Sequence, residues 1–286
     1  MKLSIPESIN PAFKDTLLVS FPQIGSSEQY DGGYRSDHIA NLRGIRVATV
    51  NRPIPKRSII DLKGRDVSLD TDNYISLVRR TGEIAVDQAS AELGFMPHII
   101  FGGNSIGATA ALIMADADPT ETTTGVIALD PVGQVAINHT TGMKRYIKQQ
   151  FSIDGEKPAH QLEEESMGMA PFRTPATKLI PKMIHEFWGH WDIGNTPISE
   201  RLVQRILLGK KAIDTVVTLA ERSPIANPEE QQQFLRNLEE ASDTHRSQTG
   251  AFVDISIAPG TFHSSTDKPF YFVRALDAIA SHHKLI

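Results

Sequence analysis

Short apolar runs alternate with longer helical patterns along most of this chain, and that alternation restricts the possible folds more than any other feature. Thr16 to Phe21 (TLLVSF), Arg46 to Val50 (RVATV), His98 to Phe101 (HIIF), Gly125 to Leu129 (GVIAL), Thr215 to Leu219 (TVVTL) and Phe252 to Ala258 (FVDISIA) each read as a strand. Strands buried on both faces lose the polar alternation of half-exposed ones, and parallel strands need helical crossovers between them. Residues 72–93 predict such a helix, with Tyr74, Leu77, Val78, Ile84, Ala85 and Gln88 near one face and Gly94 as terminator. Residues 270–281 predict another, in which Phe272, Leu276 and Ile279 share a face, and Glu229 to Gln233 reads as an exposed helix start after Asn227-Pro228. The expected class is α/β, with a mostly parallel central sheet flanked by helices.

The stretch from 133 to 213 breaks the pattern. It holds no convincing strand, it is interrupted by Pro158, Pro171, Pro175, Pro181 and Pro197, and it carries an aromatic cluster at Phe187, Trp188 and Trp191. A structureless loop of that length does not suit a compact domain, so a helical insertion is expected. The chain has 286 residues. The expected organisation is one core, 1–132 and 214–286, carrying the insertion 133–213.

Composition removes several kinds of chemistry. With no cysteine there is no disulfide framework, thiol nucleophile, thiolate zinc site or cysteine-ligated cluster. Lys and Arg number 29 against 34 Asp and Glu, and no basic stripe suited to nucleic acid is present. No apolar stretch approaches membrane-spanning length. Pro6, Glu7 and Asn10 stand where a signal peptide needs its apolar run, so a cytoplasmic location is expected.

The chemistry concentrates at Gly103-Asn104-Ser105-Ile106-Gly107, a G-x-S-x-G segment that follows an apolar strand and opens a helix of small residues. That context is what a nucleophile elbow requires. The turn is too tight for a Cβ at the flanking glycines, and it lifts the serine hydroxyl above the sheet. The N–H of Ile106 is left to bind an oxyanion. The competing reading, a phosphate-binding turn, lacks both G-x-G-x-x-G and a P-loop lysine.

GNSIGATAAL resembles the GNSMGGATAL-type elbow of carbon–carbon bond hydrolases and related esterases, and with it most of the chain resembles the α/β-hydrolase superfamily. The resemblance implies a lid at the insertion and a triad in the chain order serine, acid, histidine. His263, in Pro259-Gly260-Thr261-Phe262-His263 just past FVDISIA, is the expected base, with His245 the runner-up among ten histidines. The string Ala220-Glu221-Arg222-Ser223-Pro224 carries Ser223 where many relatives carry the acid. Asp130 in ALDPVG resembles the acid motif of lipases and is the favoured acid, with Glu221 the alternative. Alone, Asp-Pro reads as a turn initiator. The resemblance also implies a second oxyanion donor in the loop Phe21-Pro22-Gln23-Ile24-Gly25; proline has no N–H, so the backbone of Gln23 is the expected donor, with Ile24 the alternative.

Other candidates carry less. In His185-Glu186-Phe187-Trp188-Gly189-His190 the histidines are too far apart for a zincin pair, so no metal site is expected. Phe187, Trp188 and Trp191 are expected either as core of a lid helix or as lining of an acyl or aromatic pocket. Arg52 reads as part of a turn after its strand.

These residues imply a serine hydrolase acting on a carboxylic ester of a small to medium apolar acyl substrate through an acyl-enzyme, with no cofactor. The alternatives are a thioesterase or acyltransferase, a carbon–carbon bond hydrolase and, in another class, a catalytically silent small-molecule binder.

Overall fold

The apolar runs pair side by side into one sheet. The computed structural model describes residues 1–22, 35–50, 71–118, 121–137, 141, 145, 196–223, 225–263 and 269–284. Through these, the elements are β1 (Lys2–Ser4), β2 (Thr16–Phe21), α1 (Ser36–Arg43), β3 (Arg46–Thr49), α2 (Thr71–Leu93), β4 (His98–Asn104), α3 (Ile106–Ala117), β5 (Thr123–Leu129), α4 (Ile198–Leu208), β6 (Asp214–Arg222), α5 (Pro228–Thr249), β7 (Val253–Phe262) and α6 (Pro269–Lys284). The sheet has seven strands in the order β1-β3-β2-β4-β5-β6-β7. Only β1 runs antiparallel, against β3.

Period-2 alternation sorts the strand side chains between two core layers. Leu17, Val19 and Phe21 of β2 join the layer beneath α2, α3, α4 and α5. Leu18 between them joins the layer beneath α1 and α6, where Phe272, Leu276 and Ile279 lie buried on the face the sequence predicts. The register brings the strands' C-terminal ends together: Phe21 lies beside Gly103, Asn104 beside Leu129, and Leu129 beside Thr218. The residues just past those ends therefore converge at one edge of the sheet.

Helix α2 is rotated from its expected orientation. Tyr74, Val78, Ala85, Val86 and Ala89 are buried, whereas Ile84 is 47% exposed and Gln88 faces solvent. Gly82 lies on the buried face, packed on α3 so closely that an added Cβ would lie 2.5 Å from Met114 Sδ.

Helix α4 lies within the stretch expected as insertion, yet its apolar stripe of Ile198, Leu202, Val203, Ile206 and Leu207 belongs to the same core layer as α3. Its first turn is tied to the end of β5. Ser199 N–H donates to Gly133 O at 2.9 Å, and the hydroxyls of Ser199 and Thr109 both donate to Val132 O, at 2.6 and 2.8 Å. The chain thus returns to the core beside the point where it left. Most of the expected insertion, 138–140, 142–144 and 146–195, lies outside the described residues. No described helix is long and apolar enough to cross a membrane.

Candidate active site

Strand β4 delivers Ser105 to the sheet edge with φ 58° and ψ −126°, a backbone region that side chains rarely occupy. The strain persists because the surroundings leave no alternative. A Cβ on Gly103 would sit 2.2 Å from the carbonyl of Gly107, and one on Gly107 would sit 2.4 Å from Phe21 O. Ser105 N–H donates to Leu129 O at 2.9 Å, and Ser105 O accepts from Ala108 N–H at 3.0 Å as α3 begins. Tyr74 adds a hydroxyl bond to Ile106 O at 3.3 Å, and burial pushes that phenol's pKa far up, so it stays a donor. Ile106 opens α3, and the first N–H groups of a helix have no partner within it.

Asp130 follows β5 in a second left-handed conformation, φ 45°, with its N–H donating to Thr218 O at 2.7 Å. Its side chain is fully buried, and four donors surround the carboxylate. Oδ1 accepts from Gln134 Nε2 at 2.8 Å and from Ala220 N–H at 3.2 Å. Oδ2 accepts from Ser223 Oγ at 2.6 Å and stands 2.6 Å from His263 Nδ1.

His263 follows β7, and its Nε2 lies 2.9 Å from Ser105 Oγ. The tautomer follows from the partners: a carboxylate only accepts, so Nδ1 carries the proton and Nε2 is left to take one from the serine hydroxyl. Ser105, His263 and Asp130 thus form a hydrogen-bonded line across the sheet edge. The imidazole side chain is 10% exposed at the end of that line.

Glu221 does not reach the imidazole. Its carboxylate accepts from Gly260 N–H at 2.6 Å, where the β6–β7 register slips between Ala220 and Arg222. His245 is fully buried in α5, away from this line, and neither ring nitrogen has a partner among the described residues. Gln23, Arg52, His185, His190, Phe187, Trp188 and Trp191 lie outside the described residues.

Two residues at the site were not anticipated from sequence. Ser223 reads there as a vacancy, yet its hydroxyl bonds Asp130. Gln134 had no signal beyond lying one helical turn's spacing past Asp130 in DPVGQ.

Parallel strands with helices on both faces, a strained serine between β4 and α3, and a histidine after the last strand define the α/β-hydrolase fold, and this chain has it. No family model matches the chain, and no curated protein sequence does. Solved structures do. A soluble variant of monoglyceride lipase from Saccharomyces cerevisiae aligns over 99% of this chain and 89% of its own, at 16% identity and a TM-score of 0.55. A thermostable esterase of Pseudomonas putida aligns over 98% and 75%, at 16% identity and 0.53. Carboxyl esterase 2 of Tuber melanosporum aligns over 97% and 81%, at 14% identity and 0.52.

Proposed function

We propose that the protein is a serine hydrolase that cleaves carboxylic esters through an acyl-enzyme. The observation that carries this reading is the line Ser105 Oγ, His263 Nε2, His263 Nδ1, Asp130 Oδ2, with contacts of 2.9 and 2.6 Å. A serine hydroxyl is a weak nucleophile until a base removes its proton. In this scheme His263 takes the Ser105 proton as the oxygen attacks the carbonyl carbon, then hands it to the departing alcohol. Asp130 holds the imidazole tautomer and stabilises the cation that forms. The N–H of Ile106 and, on the sequence reading, that of Gln23 receive the oxyanion. Each such donor is worth about 3 kcal/mol at the transition state. Water activated by the same histidine then releases the acid.

Esterases and lipases among the similar structures support ester hydrolysis at the level of fold. A small to medium apolar acyl group is the proposed substrate, with Phe187, Trp188 and Trp191 proposed to line its pocket. Thioester cleavage, acyl transfer and carbon–carbon bond hydrolysis use the same triad and are separated by substrate. The silent-binder reading draws on Ser223 in the acid position; Asp130 Oδ2, 2.6 Å from His263 Nδ1, supports the catalytic reading instead.

A fluorophosphonate probe followed by intact-mass measurement tests the proposal. One adduct on the native chain, absent from Ser105→Ala, is expected, together with turnover of short p-nitrophenyl esters. A native chain that neither labels nor turns over ester or thioester would overturn it.

A further inference from the structure

We infer that Ser223 is a positioning residue for Asp130, holding the carboxylate that orients His263; this rests on the hydrolase reading above. The need for such a residue comes from Asp130 itself. An aspartate's terminal torsion is broad, so the side chain does not define where its oxygens point. Oδ2 meets His263 Nδ1 only if the carboxylate is pinned in rotation. Oδ1 is held by Gln134 Nε2 and Ala220 N–H. On Oδ2, Ser223 is the donor that accompanies the imidazole itself among the described residues.

The direction of that bond is determined. Ser223 Oγ accepts from Ile225 N–H at 3.1 Å, which leaves the hydroxyl's single proton for the carboxylate, an acceptor only. The hydroxyl is itself held in place. Gln231 Nε2 donates to Ala220 O at 2.7 Å and to Ala226 O at 3.2 Å, bracing the turn from both sides. Asn227 and Glu230 close it with reciprocal caps of 2.9 and 2.6 Å. A carboxylate at position 223 would stand against Asp130, and two anions at such a distance do not both ionise readily. A small neutral donor is the group that suits the place.

Ser223 touches no reacting atom, so its loss acts on turnover through Asp130. The chain is compared as wild type, Ser223→Ala and Ser223→Thr, with melting temperature measured for each and kcat and KM measured on p-nitrophenyl butyrate. Loss of one hydrogen bond to a charged group predicts a fall in kcat of about 10- to 100-fold in Ser223→Ala, with KM within about twofold. Ser223→Thr, which keeps the donor, restores most of it. Unchanged kcat in a folded Ser223→Ala overturns the inference.

A second readout does not depend on turnover. The His263 Nδ1 proton, in a short bond to Asp130, gives a resonance far downfield in the proton NMR spectrum, assigned by its loss in Asp130→Asn. It moves or disappears in Ser223→Ala and returns in Ser223→Thr; an unmoved resonance overturns the inference. A wild-type chain with neither label nor turnover counts against the hydrolase reading, while the resonance still reports on Ser223.

Discussion

Asp130 carries two costs at once, a left-handed backbone at φ 45° and a wholly buried carboxylate. The first is of order 1–3 kcal/mol for a residue other than glycine, somewhat less for Asp and Asn, which enter this region most readily. The second is offset by four donors, His263 among them. Aspartate at this position therefore has to do something that a turn residue would not. Asp130→Asn keeps the backbone preference and the size, but its amide can present an N–H to Nδ1 and favour the wrong imidazole tautomer. About a 10⁴-fold loss of kcat is expected, as in triads where this change has been made, with melting temperature little altered. Glu221→Gln, which replaces a carboxylate that accepts from Gly260 N–H and from no other donor among the described residues, should turn over within a few-fold of wild type. The reverse ranking in steady-state assays would place the acid at Glu221. At this scale the nucleophile, base and acid candidates were readable because each follows an apolar run, and strand ends at one sheet edge meet. Ser223 and Gln134 were not readable as donors. Their partner is set by how the β6–α5 turn packs against the end of β5, which leaves no periodic trace.

The N-terminus of α5 shows how one short string can be legible in part. Asn227-Pro228-Glu229-Glu230 has the N-cap, the proline at the first position and the third-position glutamate of a capping box, and both reciprocal bonds are present. The sequence does not reveal that Glu230 also takes a two-pronged bond from Arg145, at 2.7 and 3.1 Å. This pair ties residue 145, in the stretch expected as insertion, to the turn that carries Ser223. Partial burial pushes the Glu230 carboxyl up, but the bonds from Arg145 and Asn227 N–H and the guanidinium charge outweigh it. Its pKa lies below the ordinary 4.5. The sign follows. A carboxyl with a lowered folded-state pKa stabilises fully above the ordinary value, and that contribution is lost as the pH falls through the lowered one. Glu230→Gln, whose amide oxygen can still accept from Asn227 N–H, should destabilise the chain near neutral pH by the worth of a partly exposed ion pair, up to about 1 kcal/mol, seen as a lower melting temperature. The gap from wild type should close as the pH is taken below 4.5. A gap independent of pH would mean that the charge contributes nothing. Other elements escaped sequence reading for equally local reasons. β1 is three residues long and joins the sheet by antiparallel pairing with β3, and α1 is a polar segment in which Ser36, Ile39 and Ala40 are buried.

Across the whole molecule the two ends of the sheet have different tasks. Ser105, Asp130 and the hydrogen-bonded line to His263 stand at the C-terminal ends of the strands, where open α/β sheets place their sites. The opposite end is held by ordinary tethers. Asp214, at the start of β6, accepts from Phe252 N–H at 2.9 Å and stands 2.5 Å from His283 Nε2, fastening the end of α6 to the start of β7. Asp118 accepts from Thr123 N–H at 3.0 Å and pairs with Lys211; partial burial opposes these contacts, but they hold its carboxyl below the ordinary range. Asp214 lies opposite Gly125, whereas the site begins after Leu129, opposite Thr218. Four residues of strand at about 3.3 Å each separate the two by more than 10 Å, beyond the range at which substitutions usually couple. Asp214→Ala therefore tests the division. It strands the Phe252 N–H in a part-buried place and releases His283, a loss of about 1–3 kcal/mol. At about 2–4 °C per kcal/mol for a chain of this order of size, calorimetry should find a fall of several degrees. With the tethers and the chemistry at opposite ends, kcat on a short p-nitrophenyl ester, measured well below the transition, should stay within about twofold of wild type. A comparable fall in kcat in the folded variant would mean that the sheet transmits strain from one end to the other, and that Ser105 and Asp130 owe their unusual backbone angles to more than the contacts around them.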